Sequence, residues 1–299
     1  MNGSWRSRRS VISGVVTSLM AAGLMVSVGL AQDATPDGND LALLVGDDGV
    51  LTNCVDASFP PMEFFEDQNS DTPIGFDIDL VNEIGARWGV EVQHIPTEFT
   101  GLLPALEAGR CDVIASGIYL TAERLETFNA QPYFNTAVVL VTNADNTEIA
   151  APEDLAGKTV AVQSGTNYIN ILNALNEELA AAGSEQMNLQ QYPKQTDAIQ
   201  QLIVGRADAT ITQDTEQAFR EIAQPGQFKI AYAYPDPETF GIYHRQDMPE
   251  LSIALQQTVE EMRDDGTLAA IAETWNLPVE GVQFNEFDAS ATPEATPSS

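Results

Sequence analysis

The sequence predicts an α/β protein of two similar lobes with mostly parallel sheets, joined by a hinge that the chain crosses twice. Three observations lead there. Strand-length apolar runs alternate with segments of helical period from about residue 51 to residue 275. Gly109-Arg110-Cys111-Asp112-Val113 returns 96 positions later as Gly205-Arg206-Ala207-Asp208-Ala209, each time after an apolar helix and at the entry to a strand. Two further strand-like runs, 136–142 and 240–243, frame the second of these units and read as the crossings out of one lobe and back.

The N-terminal 31 residues read as a signal peptide. Arg6, Arg8 and Arg9 form a basic start, residues 11–30 are apolar, and small residues precede Gln32. Residues 7–12 also resemble a twin-arginine signal, with Val11 in the place of a Phe. The apolar run is equally long enough to stay uncleaved as an anchor. Residues 32–46, with Pro36 and Gly38, read as a flexible leader, and the small, polar, Pro-containing residues 286–299 as a disordered tail.

Between them the elements follow in order. Residues 51–55 form a strand that ends at Asp56 and a Pro-rich turn. Leu80, Val81, Ile84 and Trp88 place a helix over 75–88, closed by Gly89. A strand over 90–95 follows, then a short helix capped by Thr100 with Leu102, Leu103 and Leu106 inward, ended by Gly109. Residues 112–115 are a strand, and Thr121 opens a helix with Leu125 and Phe128 at helical spacing. In the second unit 158–162 is a strand, 163–167 a loop, and 169–182 a helix with Ile171, Leu172, Leu175 and Leu179 on one side. Residues 196–204 and 207–212 repeat the helix and strand. Turns at 235–237 precede the returning strand 240–243, and helices 249–265 and 267–275 pack back. The division is therefore 47–138 and 239–285 for lobe one, and 139–238 for lobe two.

Composition narrows the function. The chain carries 13 Lys plus Arg against 44 Asp plus Glu. Without residues 1–31, which hold three Arg and no acid, ten bases face 44 acids, so nucleic acid is excluded as a partner class. Each remaining base is informative, Arg124 above all. At the third position of a helix start, its guanidinium and the first-turn N–H groups suit a carboxylate. The two cysteines, Cys54 and Cys111, are expected on strands of one sheet, either bonded or as two buried thiols. His94 and His244 lack ligand spacing and read as surface or partly packed residues; no metal and no cofactor is expected. In parallel sheets ligands sit beyond the carboxyl ends of the strands, where the candidate residues fall.

Ten runs in order resemble the bacterial extracellular solute-binding proteins of family three, the amino-acid-binding receptors of ABC importers. They are residues 56–61, 75–80, 102–106, 109–112, 120–124, 131–133, 157–162, 164–166, 205–208 and 265–267. The resemblance implies a periplasmic-binding-protein-like, Venus-flytrap fold. It implies that Phe59 lies against the ligand side chain with Phe99 as the facing wall, and that Asp56 contacts the side chain. Ser116 and Gly117 match the loop that meets the ligand, Arg124 the α-carboxylate clamp, and Gln163, Thr166 and Asn167 the lobe-two loop that closes on the carboxylate end. Two positions depart from the family. Tyr119 stands where Ser or Thr is common, so that its ring either narrows the pocket or stacks on the ligand. Gln213 stands where the family has the Asp that takes the α-ammonium, with Asp214 next; a one-residue bulge would bring Asp214 into that role.

The implied function is an exported receptor, periplasmic or extracellular, that captures a small amino acid or related zwitterion, a methylated ammonium included, and hands it to the membrane subunits of an ABC importer. A monomer is expected. The alternatives are a cyclohexadienyl or arogenate dehydratase-like enzyme, for which only Asp214 and Glu63 offer an acid, and a sensory ligand-binding protein.

Overall fold

The computed structural model describes residues 42–45, 49–67 and 69–284; the expected signal peptide, most of the expected leader and nearly all of the expected tail region lie outside them. Lobe one begins with β1 (Val50–Val55), the short strands β2 (Ser58–Phe59) and β3 (Glu63–Phe64), α1 (Phe76–Trp88), β4 (Glu91–Pro96), α2 (Leu102–Glu107), β5 (Val113–Ile114) and α3 (Ala122–Leu125). Strand β6 (Phe128–Asn143) then leads to β7 (Thr159–Gln163), α4 (Tyr168–Ala181), β8 (Asn188–Tyr192), α5 (Gln195–Ile203), β9 (Ala209–Gln213) and α6 (Asp214–Ala223). Strand β10 (Phe228–Arg245) returns to α7 (Pro249–Asp264) and α8 (Thr267–Thr274).

Eight strands hydrogen-bond in the order β4-β1-β5-β10-β6-β9-β7-β8. The outer trios are parallel, β1 with β4 and β5, and β7 with β8 and β9. The long antiparallel pair β6 and β10 joins them, so the two expected crossings are the two halves of one ribbon. At about 3.3 Å per residue its 16 and 18 residues suffice to run through both lobes. Pro235 and Pro237 do not form a turn before the returning strand; they lie within β10. The register against β6 shifts between Ala233 and Pro237, as it must where a ring replaces a ladder N–H.

Local chemistry explains most elements. In α1, Leu80, Val81, Ile84 and Trp88 are all buried, each worth about 1.5–3 kcal/mol of transfer free energy. Gly89 ends the helix in the left-handed region, φ 69°, with its N–H on Ala86 O and Gly85 O. At Gly75, φ 136°, an added Cβ would lie 2.2 Å from Met62 O, so the chain passes too close for any side chain.

Three expectations change. Phe128 does not continue the helix opened by Thr121: α3 is four residues long, and Phe128, buried, starts β6. Residues 42–45, assigned to the leader, form a 3-10 turn whose Val45 is buried in the core. His244 is not a surface residue but is 1% exposed, and burial lowers its pKa to about 4. Of the two states open to the cysteines, the disulfide is present, with Cα atoms 5.7 Å apart. The geometry works because Cys111 precedes β5 rather than lying on it, so its side chain is free of the parallel ladder.

Candidate functional site

The carboxyl ends of the parallel strands from both lobes meet across one cleft. Asp56 follows β1, Ser116 and Gly117 follow β5, Gln163 ends β7 and Gln213 ends β9. The cleft contains about 380 Å³ of atom-free space, part of it open to solvent. Eleven of the twelve residues expected from the sequence line it.

Its floor is a loop held by buried carboxyls. Ser116 Oγ accepts from Asp56 N at 2.9 Å and donates to Glu63 Oε1 at 3.0 Å. Gly117, φ 49°, donates its N–H to Asp77 Oδ2 at 2.7 Å, and a Cβ there would sit 2.8 Å from the Phe59 ring. Tyr133 Oη donates to the same Asp77 oxygen at 2.8 Å. Glu63 and Asp77 are themselves hydrogen-bonded, and both are buried. Burial and the facing charge of Asp77 hold the Glu63 carboxyl well above its ordinary range, while burial raises Asp77 to about 6. Glu63 Oε2 and Asp77 Oδ1 are buried and have no other partner among the described residues, so a proton held between the two carboxyls, on the Glu63 side, is what would satisfy both. Glu63, considered from sequence only as an unpaired acid, is paired and turned inward. Asp56 is raised to about 6, chiefly by burial, against the hydrogen bond it accepts from Gln163.

Arg124 stands on the other side. Its Nη1 donates to Tyr119 O at 2.8 Å and its guanidinium lies 6.0 Å from the centre of the Phe99 ring. Among the described residues no carboxylate forms an ion pair with it. Its backbone N–H is taken by Thr121 Oγ1 at 3.3 Å, and α3 is a single turn, so the anion end depends on the side chain and not on a helix terminus.

The two departures from the family pattern meet each other. Tyr119 stacks on Phe240, 5.2 Å between centroids and 11° between planes. Its hydroxyl lies 3.2 Å from that of Tyr168 and is hydrogen-bonded by the Gln213 amide. A neutral phenol and a neutral amide thus face each other from opposite lobes. Asp214, the alternative to Gln213, is not brought to the cleft. The β6–β9 ladder runs without a shift through Val138 and Gln213, so no bulge turns Asp214 inward. As the first residue of α6 it accepts from Thr136 Oγ1 at 2.6 Å and from Ala137 N at 3.2 Å, and ties lobe two to the crossing strand.

Other lobe-two groups close directly on lobe one. Gln163 Nε2 donates to Asp56 Oδ2. Thr166 Oγ1 donates to Gln163 O at 2.8 Å, and Asn167 precedes α4 and accepts from Asn170. Gly165, φ 79°, sits where a Cβ would be 2.9 Å from Thr100 Cγ2. Tyr168 and Gln195 also line the cleft and were not singled out from sequence. In the sequence Tyr168 falls between the loop 163–167 and the helix 169–182, and Gln195 is a polar residue ahead of the next helix. Only the apposition of the lobes marks them.

Comparison with known proteins agrees with this geometry. Residues 51–278 match the bacterial extracellular solute-binding proteins, family 3. The L-cystine-binding protein TcyA of Bacillus subtilis is 27% identical over 247 residues, covering 82% of this chain and 87% of that one. An ancestral arginine-binding protein bound to arginine superposes with a TM-score of 0.69 at 32% identity, covering 76% of this chain and 97% of the other. The ancestral amino acid-binding protein AncCDT-1, a precursor of cyclohexadienyl dehydratase, gives a TM-score of 0.64 at 29% identity, covering 76% and 94%. No helix among the described residues is long and apolar enough to cross a membrane. The chain belongs to the bacterial extracellular solute-binding proteins of family 3.

Proposed function

We propose that the cleft captures a small amino acid and that the loaded protein delivers it to the membrane subunits of an ABC importer, acting outside the cytoplasm as a monomeric receptor and not as an enzyme. The observation that carries this is Arg124. Among the cleft-lining residues it is the one cation, it is half-buried, and among the described residues it forms no ion pair, while Glu238, the acid whose charge it feels, is itself raised to about 7 by burial. A ligand carboxylate supplies the missing partner. Asp56, Gln163, Gln195 and Gln213 give the cleft polar groups for the rest of the molecule. A methylated ammonium is less well served, because Tyr119 spends one face on Phe240 and Phe99 already lies against Arg124.

The lobes touch through Gln163 to Asp56 and Tyr168 to Tyr119, contacts that exist only when the cleft is shut; a ligand bridging them favours this state by its differential contacts. The dehydratase reading has support in the AncCDT-1 likeness, but Glu63, the floor acid that burial holds furthest toward its protonated form, faces the buried Asp77 carboxyl. Thermal-shift screening against amino acids, polyamines and betaines, with prephenate and arogenate turnover followed in parallel, tests both readings. Arg124→Ala removes two or more charge-assisted hydrogen bonds of about 1.5–3 kcal/mol each. Binding by calorimetry should then fall at least about 100-fold with the fold intact, and an unchanged affinity refutes the clamp.

A further inference from the structure

Gln195, the first residue of α5, is 1% exposed and lines the cleft. Its Nε2 donates to Glu216 Oε2 at 2.8 Å. Glu216 is wholly buried, takes Arg220 through Nε at 3.1 Å and Nη2 at 2.5 Å, and accepts the Thr212 hydroxyl. A carboxylate engaged with a guanidinium only accepts, so the Gln195 amide has one orientation, with its NH₂ on Glu216 and Oε1 pointing away. Among the described residues that Oε1 has no hydrogen-bond partner. A buried amide oxygen left this way is costly unless something else brings it a donor.

The surroundings say which end of a ligand would do so. Gln195 N donates to Ser58 Oγ at 3.3 Å, and Ser58 in turn hydrogen-bonds Asp56. Gln195 Oε1 therefore belongs to the acceptor end of the cleft, with the Asp56 carboxyl, whereas the lining cation is Arg124. We infer that Gln195 is a specificity-determining residue whose Oε1, fixed in direction by Glu216, accepts a hydrogen bond from an N–H of the bound amino acid. The inference rests on the amino-acid reading above. Glu216 acts through Gln195 and is a positioning residue.

The test uses the full chain and whichever of L-arginine, L-glutamine and L-cystine the wild type binds most tightly by calorimetry. Gln195→Met keeps the length of the side chain and lacks the acceptor. Its affinity should fall roughly 10- to 100-fold, while the unliganded melting temperature stays within about 4 °C. Glu216→Gln frees the amide to turn over and should also weaken binding, but should add little further loss in the Gln195→Met background, since the two act through one oxygen. An affinity for Gln195→Met within about twofold of wild type, with the wild type binding normally, overturns the inference and leaves the amino-acid reading standing. Equal losses from Glu216→Gln in both backgrounds overturn the positioning role. A wild type that binds no amino acid in the thermal-shift screen removes the amino-acid reading and this inference with it.

Discussion

Glu63→Gln is a substitution whose effect on stability can be worked out in sign and slope. Glu63 accepts from Ser116 through Oε1 and faces Asp77, and burial together with that facing charge favours its neutral, protonated form. A glutamine side chain reproduces that pattern, with its oxygen toward Ser116 and its NH₂ toward Asp77. The Glu63 pKa is higher folded than unfolded, so its contribution to stability is fully present below the unfolded value and is lost as pH rises toward the folded one. Through that window the Glu63 contribution falls by about 1.4 kcal/mol per pH unit, a loss the variant does not suffer. The two proteins should be of similar stability near pH 4.5. From there Glu63→Gln should gain on the wild type by about 1.4 kcal/mol per unit until Glu63 itself ionises, or about 3–6 °C in melting temperature per unit. Comparing the two proteins at each pH cancels the opposing contribution of His94 and His244, which burial lowers to about 4 and whose stabilisation is lost as pH falls. Urea denaturation of both proteins from pH 4.5 to pH 8 measures the difference directly. A difference that does not change with pH, or a variant several kcal/mol less stable throughout, refutes the shared proton.

Two further outcomes follow from the closed, cross-linked geometry. Cys111→Ser opens a disulfide spanning 57 positions, which the chain-entropy account values at about 4 kcal/mol. Its melting temperature should drop by roughly 8–16 °C, and a drop under about 2 °C counts against that account. Gly165→Ala places a Cβ against Thr100 at a left-handed φ. It should cost about 1–2 kcal/mol of backbone strain and, because the clash exists only when the lobes meet, should weaken ligand affinity more than it lowers unliganded stability; equal effects on both refute the closure argument.

What the sequence revealed and what it hid divide along physical lines. Periodicity is local, so α1, β7 and α5 were legible to within a residue or two, as were the cleft residues that lie where parallel strands end. Phe128 shows the limit: its spacing from Leu125 fits a helix, but burial in the ribbon places it on β6, and tertiary packing prevails over a one-turn periodic match. Pro235 and Pro237 misled for a related reason, since a long two-stranded ribbon absorbs prolines as register shifts where a short strand would end. The departures at Tyr119 and Gln213 were visible one at a time, 94 positions apart, and neither alone has an explanation. Apposition of the lobes supplies it. The large ring that displaces a small hydroxyl residue reaches across to lobe two, and the residue it meets there is the amide that displaces an acid. An aspartate at Gln213 would put a charge against the buried Tyr119 and Tyr168 hydroxyls, where desolvation penalises it. On the amino-acid reading proposed above, the nitrogen of the ligand is then met at the end of the cleft where Asp56 and Gln195 present oxygen.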